Sequence, residues 1–497
     1  MFDVKSPVLT HRYAKLGKPF VYNVPATPLR ETPHLLHLNE SLSNALGLQP
    51  DSLRSKAAID QLTGNQPWPG YPSVASIYCG HQFGVFVPQL GDGRALLIAE
   101  MDTPSGYQQL QLKGAGPTPF SRQGDGRAVL RSSIREYLAS EAMHHLGIPT
   151  TRALSLTATA DPVFRETTET AAVVCRVSPS FLRFGHIEYF TYSNQLDALK
   201  TLLLWHIQNQ HPELASAHAE DHFEKTLFDW LAWVIQRTAK LMAQWQSVGF
   251  CHGVMNTDNM SLLGLTIDYG PYGFIDHFDI DHICNHSDHQ GRYSYRNQPQ
   301  IGHWNLYALA QALSPLLPHG KEDLQSLLDG YVDHFQQAHR DLFCAKLGLN
   351  PAQANGFEED TLKFMHEQQI DFTRFFRSLS VITPELGLEQ CWAQWQQSSF
   401  FALKLGQSEQ VDAGRQWLGH WLALQPNTDG LDAINPAFVL RNHLLQNCIE
   451  QSKTGDFSGI EDLYQALIDP FNTKAASADF YGETPEWARS LVLSCSS

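Results

Sequence analysis

The sequence predicts an α+β protein: a small antiparallel β-sheet carrying one helix, followed by a large, mainly helical remainder. Three observations carry this. Between 73 and 190, short apolar runs alternate with polar residues and are punctuated by Gly and Pro, as strands joined by tight turns are. Within that region one segment, VLRSSIREYLASEAMHHLG, has apolar residues at helical spacing instead. From 191 onward the spacing is helical over long runs such as HFEKTLFDWLAWVIQRTAKLMAQWQSVG, with Leu227, Leu231, Val234 and Leu241 on one stripe.

Composition bounds the function. The chain has 497 residues, 43% of them hydrophobic, with 27 Phe and 11 Trp, enough to bury a large core. No window approaches eighteen uncharged apolar residues, so no transmembrane helix and no membrane partner are expected. The opening MFDVKSPVLTHRY has neither a signal-peptide nor a transit pattern, which makes a cytoplasmic location the default expectation. A formal charge of −16 argues against nucleic acid as the main partner, while leaving room for a local basic pocket. The eight cysteines form no C-x-x-C pair, so a structural zinc site is not expected.

Residues 1–72, with Pro at 7, 19, 25, 28, 33 and 50, read as an irregular wrapping segment with one or two helices. Residues 73–190 carry the sheet, expected to be five-stranded. Two features there hold glycines in turns: Gly80 and Gly84 bracket His81-Gln82-Phe83, and Gly91-Asp92-Gly93-Arg94 joins two apolar runs. Such glycines suit a plain hairpin or a backbone cradle for phosphates; Arg94 favours the second, since an Arg beside the turn reaches phosphates bidentately. The strand YQQLQLK ends at Lys113. A Gly/Pro-rich loop with a second acidic turn, Asp125-Gly126, leads into the helix, which Ser132 or Ser133 would cap and Gly147 would end. Glu136 lies on an otherwise apolar row of that helix and needs a cation if buried; Lys113 is the expected partner. Arg176 and Arg183 then lie seven apart among apolar rather than acidic neighbours. They suit a phosphate clamp, or stacking on a surface aromatic.

Residues 191–303 deliver the stretch on which the chemistry turns, HGVMNTDNMSLLGLTIDYG, from His252 to Gly270. Asn259 and Asp268 are nine apart, with an apolar run between them expected to form short strands. In protein kinases an Asn on the catalytic loop and an Asp in a D-F-G turn hold the metal ions that bridge nucleotide phosphates. With His252 in the catalytic-loop His place, the usual base position falls on Val254, which accepts no proton. By itself the spacing is also met by a helix, a turn and a strand with no ligand. The arrangement of strand Lys, loop and helix Glu upstream is the one in which kinases pair their β3 Lys with the αC Glu, so the expected fold is protein-kinase-like and bilobal. Histidines 277, 282, 286, 289 and 303 follow at spacings that match no zinc pattern. Residues 304–497 read as a helical extension.

Taken together, YCGHQFG, QLGDGR, QLKGAGPTPFSRQGDGRAVLRSSIREYLASEAMHHLGIPTTRAL, RVSPSFLRFG, HGVMNTDN, IDYGPYGF, ICNHSDHQGRYSYRNQP, NPAFVLRN and the terminal SCSS resemble the selenoprotein O family, from about Tyr78 to the end. HFDIDH is a departure from the pattern. The resemblance implies a kinase-like fold binding ATP in a flipped orientation and moving AMP to Ser, Thr or Tyr hydroxyls of proteins. It implies that Lys113, Glu136, Arg176 and Arg183 handle the inverted phosphates, and that Gly91, Gly93, Arg94, Asp125 and Gly126 complete the nucleotide site. It further implies that Asn259 and Asp268 bind Mg²⁺, or Mn²⁺, and that Asp258 is the proton acceptor. Cys495 within SCSS makes the chain similar to the selenium-free bacterial type. A γ-phosphate-transferring kinase using Asp258 and a non-catalytic ATP-binding scaffold are the competing readings. A regulatory Cys284–Cys495 disulfide and a monomeric state complete the expectations.

Overall fold

The computed structural model describes residues 6–217, 223–403, 408–474, 479–491 and 493. Among the described residues its main sheet contains ten strands rather than the five expected, because residues 73–190 supply seven and the Pro-rich first segment adds three: β1 (Val8–Thr10), β2 (Val21–Asn23) and β3 (His34–Leu38). The alternating region supplies β4 (Val74–Gln82), β5 (Val85–Gly91), β6 (Ala95–Thr103), β7 (Gly106–Lys113), β8 (Ala128–Val129), β9 (Arg152–Phe164) and β10 (Thr168–Ser178). The path across the sheet is β2-β4-β6-β7-β10-β9-β3, with β1 on β6, β5 on β4 and β8 on β10, and the ladders are antiparallel. Three- to five-residue runs are too short to show a period, but the long strands β4, β6 and β9 present backbone groups that must be paired.

A buried carboxylate fastens that first segment. Glu100, on β6, accepts hydrogen bonds from the backbone N–H of Tyr13 (2.6 Å) and Ala14 (2.9 Å) and from the hydroxyls of Tyr71 (2.5 Å) and Tyr107. Three helices follow in the same segment: α1 (Glu40–Ala45), α2 (Pro50–Leu53) and α3 (Lys56–Thr63).

The single long helix of the sheet region, α4 (Leu130–His145), starts two residues before the expected Ser cap. Ser132 instead donates its hydroxyl to the Val129 carbonyl at 3.1 Å, and Ser133 is buried. Gly147, at φ +76°, follows the end as expected. From Ser133 to Met143 every residue of α4 is buried. The helix lies between the sheet and helices Asn442–Lys453 and Ser458–Leu467, and Glu136 is buried.

The helical remainder begins with α5 (Phe184–Tyr192), α6 (Leu196–Gln210), α7 (Pro212–Ala217) and α8 (Phe223–Ser247). Leu227, Leu231, Val234 and Leu241 of α8 are all buried. The apolar run Met260–Ile267 forms no strand ladder; single bridges join Ser261 to Arg183 and Thr266 to Thr150. The C-terminal extension is keyed to the stretch after Asp268 by Arg441, whose buried guanidinium donates to both oxygens of Asp371 (2.7 and 2.8 Å) and to Asp276 (3.2 Å). Among the described residues no helix is long and apolar enough to cross a membrane.

His206 of α6 is fully buried against Trp230 and His211, and neither ring nitrogen has a hydrogen-bond partner among the described residues. Burial, reinforced by His211, pushes it down from 6.5 to about 3. Below pH 6.5 the unfolded chain binds a proton that folded His206 refuses, so stability is intact above that pH and is lost as pH falls towards 3. Between pH 7 and 5 the loss reaches at most about 2 kcal/mol for this residue. His206→Phe is expected to narrow the gap between urea midpoints measured at pH 7 and pH 5; an unchanged gap removes His206 as a source of acid sensitivity.

Candidate active site

The site forms where β7, β10 and α4 meet the loops around Asp258 and Asp268. Strand register sets its cations. Gln111 of β7 pairs with Arg176 of β10, and Lys113 lies two residues along β7 on the same face. The Lys113 ammonium reaches Glu136 Oε2 at 2.7 Å, and Arg176 Nη1 reaches Glu136 Oε1 at 3.1 Å. Arg176 also donates to Gln111 Oε1.

Asp268 closes the network. Its backbone is left-handed, φ +56°, a conformation Asp tolerates better than most residues and one that needs surrounding structure to hold it. Its Oδ1 accepts from Arg176 Nη1 at 2.5 Å and lies 3.6 Å from the Lys113 ammonium; its Oδ2 accepts from Arg183 Nη1. Arg183 Nη1 also donates to the Asp258 carbonyl at 2.9 Å, so one guanidinium ties the two loops together. The guanidinium of Arg176 lies over Phe181 and that of Arg183 over Tyr78. The stacking reading thus holds for both arginines, except that the aromatics are buried.

The electrostatics follow from burial. Burial alone would raise the Asp268 carboxyl, but Arg183, Arg176 and Lys113 outweigh it and hold the group well below the ordinary carboxylate range. Burial lowers Lys113 despite Glu136 and Asp268 beside it. Asp258 is raised to about 6 because it is buried, with Arg183 only partly opposing this. Its Oδ2 accepts from Gln82 at 3.2 Å, while its Oδ1 is buried without a partner among the described residues.

These residues border a cleft of about 530 Å³. Of the residues the sequence singled out, Gly91, Gly93, Arg94, Lys113, Asp125, Gly126, Arg176, Arg183, Asp258, Asn259 and Asp268 all line it; Glu136 stands behind Lys113 and Arg176. Gly126, at φ +67°, lies so close to Gly116 that a Cβ there would come within 2.1 Å of its carbonyl. Asp125 sits at the outer rim, where both its oxygens take hydrogen bonds from Arg165 (2.9 and 3.0 Å). Arg165 comes from the distant β9–β10 hairpin and carried no sequence signal. Asp92 and Asn256 also line the cleft; each stood inside a motif already noted, between Gly91 and Gly93 and three residues before Asn259.

The end of β4 lies directly on the 256–258 loop. The His81 N–H donates to Thr257 Oγ1 at 2.7 Å, and the Phe83 N–H donates to Asn256 Oδ1 at 3.2 Å. A Cβ on Gly80 would come 2.8 Å from Asp258 Oδ1. Gly80 and Gly84 thus serve a hairpin, as the plain reading had it, and the hairpin bears on the loop that carries Asp258.

The donors fit a nucleotide and a hard divalent cation. Arg176 Nε and Arg183 Nε are buried without acceptors among the described residues. Asn259 donates its amide to the Val254 carbonyl at 3.0 Å, leaving its amide oxygen without a protein donor among the described residues. An amide oxygen and a carboxylate are the donors Mg²⁺ or Mn²⁺ takes, with phosphate oxygens and waters completing the shell. Among the described residues no three His, Cys, Asp or Glu side chains cluster to hold a metal, the histidine-rich stretch after Gly270 included. Cys284 is buried and its thiol donates to the Cys251 carbonyl at 3.4 Å. Cys495, its expected disulfide partner, lies outside the described residues.

A family model described as "Protein adenylyltransferase SelO" matches residues 6–468. The chain belongs to this family. Relatives called "Protein nucleotidyltransferase YdiU" include those of Methylococcus capsulatus, 46% identical over 506 aligned positions covering 98% of this chain and 95% of the relative, and of Bordetella petrii, 46% identical and covering 98% and 97%. That of Bordetella avium is 44% identical and covers 98% of both. The SelO family match spans the sheet region, the cleft and most of the helical extension, so the whole site lies within it.

Removing Asp268 from this SelO-family site takes away the one carboxylate that pairs with Arg183 among the described residues and one of the two that pair with Arg176 and Lys113. Asp268→Ala is expected to destabilise the fold by about 3–5 kcal/mol, read from urea denaturation, with pyrophosphate restoring part of the loss by supplying the missing anion. A variant as stable as the wild type would mean that the network is not held by this carboxylate.

Proposed function

We propose that this chain is a protein adenylyltransferase that moves AMP from ATP to Ser, Thr or Tyr hydroxyls of protein substrates. In this reading the sheet region and the helical region are the two lobes of a protein-kinase-like fold, and the nucleotide lies in the cleft turned end for end. The observation that carries it is the pairing of two buried arginines and a lysine beside them in the cleft with the loss of the usual base. Lys113, Arg176 and Arg183 offer a positive pocket with unused N–H groups. Val254 lines the cleft where a kinase keeps its proton acceptor, and Asp258 lies four residues further on.

With the β- and γ-phosphates against the three cations, the α-phosphorus faces the mouth of the cleft, near Asp258. The acceptor hydroxyl gives its proton to Asp258, and its oxygen bonds to the α-phosphorus. The bond from that phosphorus to the α–β bridging oxygen breaks, and pyrophosphate leaves into the cation pocket. Asp258 suits a transient proton acceptor because burial brings its affinity for a proton towards neutrality. Glu136 holds Lys113 and Arg176 in place. Asn259 and Asp268 would hold the divalent cation, which when bound neutralises phosphate charge. The rest of the catalysis is positioning and fixed positive charge.

The Lys113–Glu136 pair is equally the mark of a γ-phosphate-transferring kinase, so the two readings must be separated by label. Incubation with α-labelled ATP is expected to label protein and release pyrophosphate, and γ-labelled ATP to leave protein unlabelled. Transfer of the γ-label alone would select the kinase, and ATP binding with transfer of neither label would select a scaffold. Asp258→Asn and Asp268→Ala are each expected to abolish α-label transfer. Gly80→Ala should slow transfer by roughly ten- to a hundredfold, because its methyl displaces the Asp258 carboxylate while ATP binding, followed by calorimetry, persists; unimpaired transfer would show that the hairpin does not position Asp258.

A further inference from the structure

The β4–β5 hairpin tip and the segment after Gly291 form a surface at the mouth of the cleft that the nucleotide chemistry does not use. Phe83 is held at φ +51°, unusual for an aromatic residue, by N–H bonds to Asn256 Oδ1 and to the Tyr293 hydroxyl (3.0 Å). Its ring lies against Tyr293 and lines the cleft. Beside it Val85, Phe86 and Tyr192 are 68%, 37% and 42% exposed, with Phe86 edge-on to Tyr192. This is a continuous apolar rim in a chain of formal charge −16.

One cation stands on that rim. The Arg292 guanidinium is stacked over Trp304, with its carbon 4.8 Å from the ring centroid, and lies against Gly84, where a Cβ would come within 3.3 Å of it. No carboxylate among the described residues pairs with it, and its Nε is buried without an acceptor. Asp288, close by in sequence, is buried and takes backbone N–H bonds from Arg292 (2.9 Å) and Tyr293 (2.7 Å). Glu188 is buried and pairs with His81. A guanidinium fixed by stacking and left without an anion is preorganised for one.

We propose that this rim binds the acceptor-bearing segment of the protein substrate, with Arg292 selecting an Asp or Glu beside the modified hydroxyl. The proposal rests on the transfer reading above. Phe83, Val85, Phe86 and Tyr192 take an apolar side chain of the same segment, and Arg292 takes its carboxylate. Both contacts form before chemistry, so they act on KM rather than kcat.

The test uses the full chain, α-labelled ATP and two peptides that differ only in carrying Glu or Lys beside one acceptor hydroxyl. Wild type is expected to favour the Glu peptide in kcat/KM by about tenfold or more, through KM. Arg292→Glu should reverse the ranking, and Arg292→Lys should keep its direction. Val85→Asp, at an exposed position that leaves folding untouched, should raise KM for both peptides with ATP affinity unchanged. A wild type with no preference, or an Arg292→Glu variant that keeps the wild-type ranking while transferring AMP, overturns the proposal and leaves the transfer reading standing. Absence of α-label transfer by wild type to any protein or peptide overturns both.

Discussion

Asp268 is the carboxylate on which the candidate site depends. Lys113, Arg176 and Arg183 surround it at the wall of the cleft, with Glu136 behind two of them, and Arg176 and Arg183 both donate to it. Burying charge of either sign is costly unless each group is paired, so the positions of Lys113, Arg176 and Arg183 are coupled through this one group. Arg183 extends the coupling by donating to the carbonyl of Asp258. The left-handed backbone of Asp268 is a local cost that this network offsets.

The scaffold around that network removes freedom from each contributor. Lys113 and Arg176 stand on adjacent, paired strands, so their spacing is set by the ladder rather than by loops. Glu136 is carried on a helix buried along most of its length, packed between the sheet and two helices that come more than three hundred residues later. The first segment is sewn to the sheet by Glu100, and the extension is fastened behind the site by Arg441 with Asp371 and Asp276. Sites that work by fixed charge rather than by covalent chemistry need this rigidity, because positive charge stabilises a transition state only if it is already in place.

The mouth of the cleft has a different character. Its inner end is cationic and buried, whereas its rim is apolar, exposed and built from a hairpin tip and a loop. The division matches a two-substrate reaction, in which a small polyanion must be held rigidly and a protein segment must enter and leave. In a chain of formal charge −16, a local cation at the rim stands out as a place where an anion is favoured.

Much of the site was legible in the sequence, for reasons of local chemistry. Lys113 and Glu136 stood out as a strand-end cation and a carboxylate on an apolar helical row, and each needed the other. Arg176 and Arg183 stood out because they lacked acidic neighbours, and Asn259 and Asp268 because of their spacing. The α+β class and the apolar stripe of α8 followed from period alone. The tertiary structure alone decided the ten-stranded sheet, since β1 to β3 are too short to show a period and pair with strands far along the chain. It alone placed Arg165 on Asp125, Gly80 against Asp258 and Arg292 over Trp304. Periodicity and charge are properties of neighbouring residues, so they can be read along a chain; contacts between distant segments depend on how the whole core packs, and they appear only once it has folded.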